Sequence, residues 1–145
     1  VTIARTEDFD AFWEILESNL QNKYEVRPVH SINEIKLLAG RFPDRIRLYA
    51  AFSEDGRMLG ATVIYIINSK VIHTQYISAS LEGKELGALD ALFEYLINDE
   101  FKEYSVFDFG QSTEQRGAVL NENLIFQKEG FGGRGVLYDI YEYNL

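Results

Sequence analysis

An acidic side chain, Asp108, lies inside a segment that otherwise has the composition of a buried strand. Phe107 and Phe109 flank it, and strand alternation places it on the face shared by Tyr104 and Val106. A carboxylate in apolar surroundings must be paired, hydrogen-bonded or protonated. It is either a base or amine-orienting group in a cleft where parallel strands diverge, or half of an ion pair with an Arg or Lys of a neighbouring strand or loop. The ion pair is favoured, because structural pairs perturb carboxylates as active sites do.

Polar residues follow this strand at its carboxyl end, where ligands of open sheets usually bind. Gln111 and Ser112 are therefore candidate substrate contacts. Ser112 and Gln115 also have the spacing of a capping box, which is the favoured interpretation. Arg134 lies among glycines and is a third candidate contact, here for an anionic substrate. A position in a solvated turn would explain an arginine there equally well.

A second candidate site is the junction between a strand and a helix at residues 78–87. A helix N-terminus presents unpaired amides, and glycine lets an anion approach the backbone. Glu82 and Glu85 add negative charge at the same place and fit first-turn acids that favour the helix dipole. The candidate anion-binding residues are Ser78, Ser80, Gly83, Lys84 and Gly87.

Composition removes several kinds of chemistry. The 145 residues contain no Cys and two His, so thiol nucleophiles, disulfides and thiolate metal sites are excluded, and no metal site is expected. Both histidines, His30 and His73, are interpreted as structural. The net charge of −9 repels phosphate backbones, so direct nucleic-acid binding by this domain is not expected. No segment is apolar enough to span a bilayer, and a cytoplasmic location is expected.

The order of elements follows from caps and periodicity. Asp8 is suited to cap a first helix, and the Ser31–Glu34 capping box begins a second one. An Asp55-Gly56 pair predicts a hairpin. Strands are expected at 1–5, 46–52, 59–67, 71–78, 104–110 and 136–143, with a crossover helix at 86–97 and another ending at 130.

This order, (β)ααβββαβαβ, predicts one α+β domain over residues 1–145. An antiparallel meander followed by a β-α-β crossover gives a mixed, mostly antiparallel sheet with helices on both faces.

Four motifs occur in order along the chain: Pro28-Val29-His30-Ser31, Arg41-Phe42-Pro43-Asp44, Phe107-Asp108-Phe109-Gly110, and Phe126-Gln127-Lys128-Glu129-Gly130-Phe131-Gly132-Gly133. The element order resembles the GNAT acyltransferase fold, and these motifs resemble its FemAB-like (BioF2-like) branch. The similarity covers the chain from about Phe9 to Tyr143.

The resemblance implies transfer of an acyl or aminoacyl group to an amine by direct attack, through a tetrahedral intermediate. It implies no tightly bound cofactor; the donor is acyl-CoA, or aminoacyl-tRNA in members that modify peptidoglycan precursors, and the acceptor is a small amine or a peptide. Members usually carry two such units, so the chain is expected to be the C-terminal half of a longer protein that packs against an N-terminal GNAT-like unit. The alternative is a non-catalytic, substrate-binding half.

The resemblance also assigns roles to individual residues. GNAT enzymes hold the CoA pyrophosphate in a loop of the form (Arg/Gln)-x-x-Gly-x-(Gly/Ala), and the segment 84–89 is similar but departs at its first and last positions. Lys128 stands where FemAB-like transferases carry a Phe-Lys pair, although Gln127 separates it from Phe126. The implied role of Lys128 is to stabilise negative charge on the attacked carbonyl, and the alternative is a last-turn lysine that complements the helix dipole.

Overall fold

The computed structural model describes residues 1–24 and 26–145, and these form two compact units, Val1–Gly110 and Gln111–Leu145. The first unit contains a five-stranded sheet in the order β1-β2-β3-β4-β5. Its elements are β1 Thr2–Thr6, α1 Phe9–Tyr24, α2 Ile32–Arg41, β2 Ile46–Phe52, β3 Met58–Ile66, β4 Val71–Ala79, α3 Leu81–Glu85, α4 Ala88–Tyr95, a π-helical turn Leu96–Glu100, and β5 Val106–Asp108.

The sheet is antiparallel from β1 to β4 and parallel only between β4 and β5. The connection from β4 to β5 passes through α3 and α4, so these elements form the expected crossover. The predicted α+β class, with a mixed and mostly antiparallel sheet, is confirmed.

Helices cover both faces of the sheet. Neighbouring residues of a strand point to opposite sides, so each strand contributes buried side chains to both faces. On one face, Phe12, Trp13 and Ile35 of α1 and α2 pack with Ala50 of β2. On the other face, Ala51 packs with the following strand and with the start of α4. The buried side chains of both faces make this sheet the core of the first unit.

The predicted helix starts and the hairpin are confirmed. The Asp8 carboxylate accepts a hydrogen bond of 3.1 Å from the amide of Ala11. The Ser31 hydroxyl accepts one of 3.2 Å from the amide of Glu34. Gly56 turns the β2–β3 hairpin at a φ of +84°, a conformation that L-residues rarely adopt. Short-range hydrogen bonds of this kind are encoded locally, so they are predictable without the fold.

The crossover helix differs from the expectation of one helix at 86–97. Gly87, at a φ of +66°, ends α3 and precedes α4, so the segment is two helices with a break between them. The last turn, Leu96–Glu100, is π-helical rather than α-helical. The apolar periodicity continues through the break and therefore did not reveal it.

The second unit contains β6 Thr113–Glu114, β7 Val119–Leu120 and α5 Glu122–Gly130, with a 3-10 turn between the two strands. The prediction that Ser112 and Gln115 form a capping box is wrong. Asn121 caps α5 instead, since its side chain accepts a 3.0 Å hydrogen bond from the amide of Leu124.

The strand expected at 136–143 was also wrong, because residues 133–145 contain no helix or strand. Its side chains alternate as a strand requires, but a strand forms only where a neighbouring backbone supplies hydrogen bonds. Among the described residues, no strand pairs with this segment.

No helix in the part of the chain that the structure describes is long and apolar enough to cross a membrane.

Candidate active site

The sheet of the first unit opens at the carboxyl end of β5. β4 and β5 pair through the registers Val71↔Val106, Ile72↔Phe107 and His73↔Asp108. β5 ends there, and the chain turns away at Gly110 with a φ of +78°. β4 continues to residue 79, so within the described chain its last six residues have a strand neighbour only on the β3 side. Ligands of open sheets bind at such carboxyl ends.

His73 and Asp108 form a contact at the last paired position before this opening. His73 Nδ1 lies 2.8 Å from Asp108 Oδ2, and Asp108 Oδ1 accepts a 2.8 Å hydrogen bond from the amide of Gly110. The side chains are 23% and 41% exposed, so both can be reached from solvent. The neighbouring strand therefore supplies a histidine to Asp108, whereas the sequence suggested an Arg or Lys.

Two further polar side chains surround the imidazole. Gln75 Oε1 lies 3.2 Å from His73 Nε2. The Tyr65 ring, directly across in β3, has its centroid 6.4 Å from that of His73. Burial raises the pKa of the Tyr65 hydroxyl, and the nearby Tyr76 raises it further, so Tyr65 remains protonated near neutral pH.

A β-bulge in β4 explains how His73 and Tyr76 come to share one face of the sheet. Val63 pairs with Tyr76 and Ile64 pairs with Thr74, so Gln75 is the extra residue of β4. A bulge shifts the alternation by one, which puts His73 and Tyr76 on the same face although they are three residues apart. The face they share is the one that α1 and α2 cover.

The second histidine has a structural position. His30 Nδ1 lies 2.7 Å from the Tyr76 hydroxyl, which also accepts a 3.1 Å hydrogen bond from the His30 amide. Its carbonyl accepts a 3.2 Å hydrogen bond from Trp13 Nε1. His30 therefore ties the start of α2 to α1 and β4, as the structural interpretation of this residue requires.

The candidate anion-binding residues of the strand–helix junction are held by specific contacts. Ser78 Oγ accepts a 2.6 Å hydrogen bond from Asn19 Nδ2, which also donates to the carbonyl of Ala79 over 2.7 Å. Ser80 Oγ caps α3 by accepting from the amide of Gly83 over 3.0 Å. A Cβ built on Gly83 would lie 2.0 Å from the Leu59 carbonyl oxygen, so β3 accounts for the glycine at this position.

Replacing Asn19 with alanine is expected to lower the free energy of unfolding by about 1–3 kcal/mol, because the part-buried Ser78 hydroxyl and Ala79 carbonyl each lose a donor. Urea denaturation measures the loss. Asn22→Ala is the matched control in the same helix, where Asn22 Nδ2 reaches Ser18 Oγ only at 3.5 Å and is exposed. Equal losses in the two variants would contradict this role of Asn19.

The charged residues of the junction are Glu82, which pairs with Arg57, and two exposed side chains, Lys84 and Glu85. Arg57 of the hairpin reaches both carboxylate oxygens of Glu82, at 2.5 and 3.1 Å. Lys84 is exposed in α3, and Gly87 separates α3 from α4. Arg57 also pairs with Asp55 at 2.8 Å, so its single positive charge is shared between two carboxylates and balances the negative charge of Glu82 only in part.

In the second unit, three of the sequence-predicted residues come together. Lys128 lies in the last turn of α5 and is 8% exposed. Its Nζ donates to the Gln111 carbonyl over 2.7 Å and to the Ser112 hydroxyl over 3.0 Å. Arg134 is exposed and donates to the adjacent Gly133 carbonyl. Lys128 therefore fixes the start of its unit through two oxygen acceptors.

Sequence reasoning interpreted His73 as structural and did not predict its contact with Asp108. The signal that identifies it is the parallel register, which puts residue 73 beside residue 108, and a single sequence carries no direct sign of that register. The described residues contain no group of three His, Asp or Glu side chains that could hold a metal ion.

Comparison with known proteins gives similarity at the level of structure only. No protein-family model and no curated protein matches the sequence. A solved structure of a possible acetyltransferase from Clostridium difficile 630 superposes with a TM-score of 0.70 at 12% identity, covering 99% of this chain and 97% of that one. The chain has the GNAT acetyltransferase fold.

Two other solved structures share the GNAT fold with this chain. An acetyltransferase from Trypanosoma brucei matches with a TM-score of 0.63 at 17% identity over 99% of both chains. An aminoglycoside acetyltransferase from an uncultured soil metagenomic sample, solved with sisomicin, matches with a TM-score of 0.67 at 10% identity. It covers 99% of this chain and 95% of its own. Identities this low carry the fold and no residue roles.

Proposed function

We propose that this chain is an N-acyltransferase that transfers an acyl group from acyl-CoA to an amine. The observation that carries the proposal is the opening of the sheet after His73 and Asp108, where a parallel strand pair separates and polar side chains lie at its end. The GNAT fold adds support, because the structures that share it include acetyltransferases of amine-bearing compounds.

The proposed reaction needs positioning and charge stabilisation, and no covalent enzyme intermediate. An amine attacks the thioester carbonyl, and the tetrahedral intermediate expels the CoA thiolate. A chain with no Cys is suited to this direct route. Gln111, Ser112 and Arg134 remain proposed substrate contacts. Lys128 remains a proposed stabiliser of the developing oxyanion, and its buried ammonium already serves two oxygen acceptors.

The proposed donor site is the junction between β4 and α4, with Ser78, Ser80, Gly83, Lys84 and Gly87. Lys84 is exposed there and free to approach a phosphate from solvent. Arg57 pairs with Glu82 and also with Asp55, so it reduces only in part the repulsion that a pyrophosphate would meet. Gly83 has no Cβ and therefore allows α3 to lie against β3, which fixes the position of α3 in the proposed donor site.

Acetyl-CoA at 100 times its Kd is expected to raise the free energy of unfolding by about 2.7 kcal/mol, which is a rise in melting temperature of about 5–10 °C for a chain of this size. Differential scanning fluorimetry measures the shift, and ATP at the same concentration controls for unspecific phosphate binding. Thiol release from acetyl-CoA in the presence of a panel of primary amines then tests turnover. The absence of both a melting-temperature shift and thiol release at millimolar acetyl-CoA would contradict the CoA-dependent proposal.

The narrower proposal is a FemAB-like transferase that works with a second GNAT-like unit and an aminoacyl-tRNA donor. It rests on the four sequence motifs, and the net charge of −9 requires the basic surface for tRNA to lie on that other unit. The sequence of the gene upstream of Val1 tests it. An upstream GNAT-like unit with a basic face supports this version, and an acidic one contradicts it.

A non-catalytic, substrate-binding unit is the second candidate function. The observation that favours it is the use of Gly83 and Ser80 in internal contacts with β3, instead of as an open phosphate loop. In that case acetyl-CoA or an amine binds without thiol release, so the turnover assay separates the two candidates.

A further inference from the structure

We propose that His73 is the general base of this site and that Asp108 is the positioning residue that orients it. The inference rests on the N-acyltransferase function proposed above. It differs from a role for Asp108 as the base itself, because the geometry puts the carboxylate behind the imidazole.

The carboxylate is held on both of its oxygens. Asp108 Oδ2 lies 2.8 Å from His73 Nδ1, while Oδ1 accepts from the amide of Gly110 at 2.8 Å. Directly after this amide the chain turns away, because Gly110 has a φ of +78°. A carboxylate fixed in this way favours the tautomer in which Nδ1 carries the proton and donates it.

With the proton on Nδ1, the basic lone pair of His73 is on Nε2. Gln75 lies at that nitrogen, with its amide group 3.2 Å away. The amide oxygen and nitrogen occupy equivalent volumes, so a 180° turn of the amide offers an NH₂ donor to Nε2. Gln75 is the bulge residue of β4 and is half-buried, which holds this partner beside the imidazole. An acceptor ammonium group displaces the weak Gln75 contact when it binds.

The register places this pair where substrate can meet it. His73 and Asp108 are the last residues at which β4 and β5 are joined, and the sheet opens immediately beyond them. The imidazole is less exposed than the carboxylate but is not enclosed, with 23% of its side-chain surface accessible.

The proton and bond changes balance as follows. His73 Nε2 takes one proton from the acceptor R–NH₃⁺, and the Asp108 carboxylate stabilises the resulting imidazolium. The neutral amine forms a C–N bond with the thioester carbonyl of acyl-CoA. The tetrahedral intermediate then breaks its C–S bond, and the thiolate takes the second proton from nitrogen. The products are the amide, HS–CoA and one proton, which His73 returns to solvent.

A test independent of turnover uses the fact that the chain has two histidines. Long-range ¹⁵N–¹H spectra of the imidazoles report the tautomer of each ring. We expect the Nδ1–H form for His73 in the wild-type chain, and loss of that preference in Asp108→Asn with little change in the signals of His30. An Nε2–H form of neutral His73 in the wild type would overturn the proposal.

The kinetic test compares His73→Gln with His30→Gln, the same substitution at a histidine with a structural position. In a coupled assay with acetyl-CoA and the best amine of the panel, His73→Gln should lower kcat about 10²–10⁴-fold. It should also leave the KM for acetyl-CoA within about threefold. His30→Gln should keep kcat within about threefold of the wild type. Turnover by His73→Gln within about threefold of wild type overturns the role of His73 alone, whereas an inert wild-type chain overturns the proposed function and this role with it.

Discussion

Replacing Gly83 with alanine should lower the free energy of unfolding by more than about 3 kcal/mol, or prevent folding altogether. The new Cβ would lie 2.0 Å from the Leu59 carbonyl oxygen and 2.8 Å from its carbon, and both are main-chain atoms. The carbonyl cannot easily move aside, because it accepts hydrogen bonds from the Ser80 amide at 2.9 Å and from the Ser80 hydroxyl at 3.1 Å. Leu59 itself is buried in the sheet.

Chemical denaturation followed by circular dichroism measures this loss, and Gly40→Ala is the matched control. Gly40 lies in α2, and a Cβ built there meets nothing within 4 Å. The control should gain up to about 1 kcal/mol from helix propensity. A Gly83→Ala variant that stays within about 1 kcal/mol of the wild type would show that α3 does not lie against β3 as described.

Replacing Trp13 with alanine should lower the free energy of unfolding by about 3–5 kcal/mol, as truncation of a large buried aromatic does. The indole is 2% exposed, with its ring centroid 5.7 Å from that of Phe12 and 5.1 Å from that of Tyr76. Its nitrogen donates to the His30 carbonyl. One side chain thus joins α1, the start of α2 and β4, so its removal opens the core of the first unit.

Urea denaturation followed by circular dichroism measures the effect, because the chain has a single Trp and the variant loses its indole fluorescence. Trp13→Phe keeps most of the ring packing and loses the hydrogen bond to His30, so an intermediate loss is expected. Leu37→Ala, on the exposed side of α2 with 54% of the residue accessible, should change stability by less than about 0.5 kcal/mol. A Trp13→Ala loss as small as that of Leu37→Ala would contradict the packing described here.

The features that the sequence predicted well are those set by neighbours in the chain. The caps at Asp8 and Ser31 and the turn at Gly56 depend on residues within four positions of each other, and all three are present in the structure. The element order from β1 to β5 followed mostly from periodicity and turn residues, and its resemblance to the GNAT fold is confirmed at the level of the fold.

The features that the sequence did not predict depend on partners distant in the chain. The segment 136–143 has the alternation of a strand, but alternation does not supply a neighbouring edge. Ser112 has the spacing of a cap, yet its hydroxyl accepts a hydrogen bond from Lys128. The contact of His73 with Asp108 depends on a register between residues 35 positions apart, and its contact with Gln75 depends on a bulge. No sequence pattern marks either feature.

The unequal lengths of the strands affect how long the contact between His73 and Asp108 persists during local unfolding. The inner strands β2, β3 and β4 are joined by short turns and pair over most of their lengths, whereas β5 contributes three paired residues and returns only after a long crossover. Local opening begins where few backbone hydrogen bonds must break. Detachment of β5 would therefore separate Asp108 from His73 while the meander stays intact. The contact between His73 and Asp108 then has a lifetime of its own, shorter than that of the fold, and a ligand that bridges β4 and β5 would lengthen it.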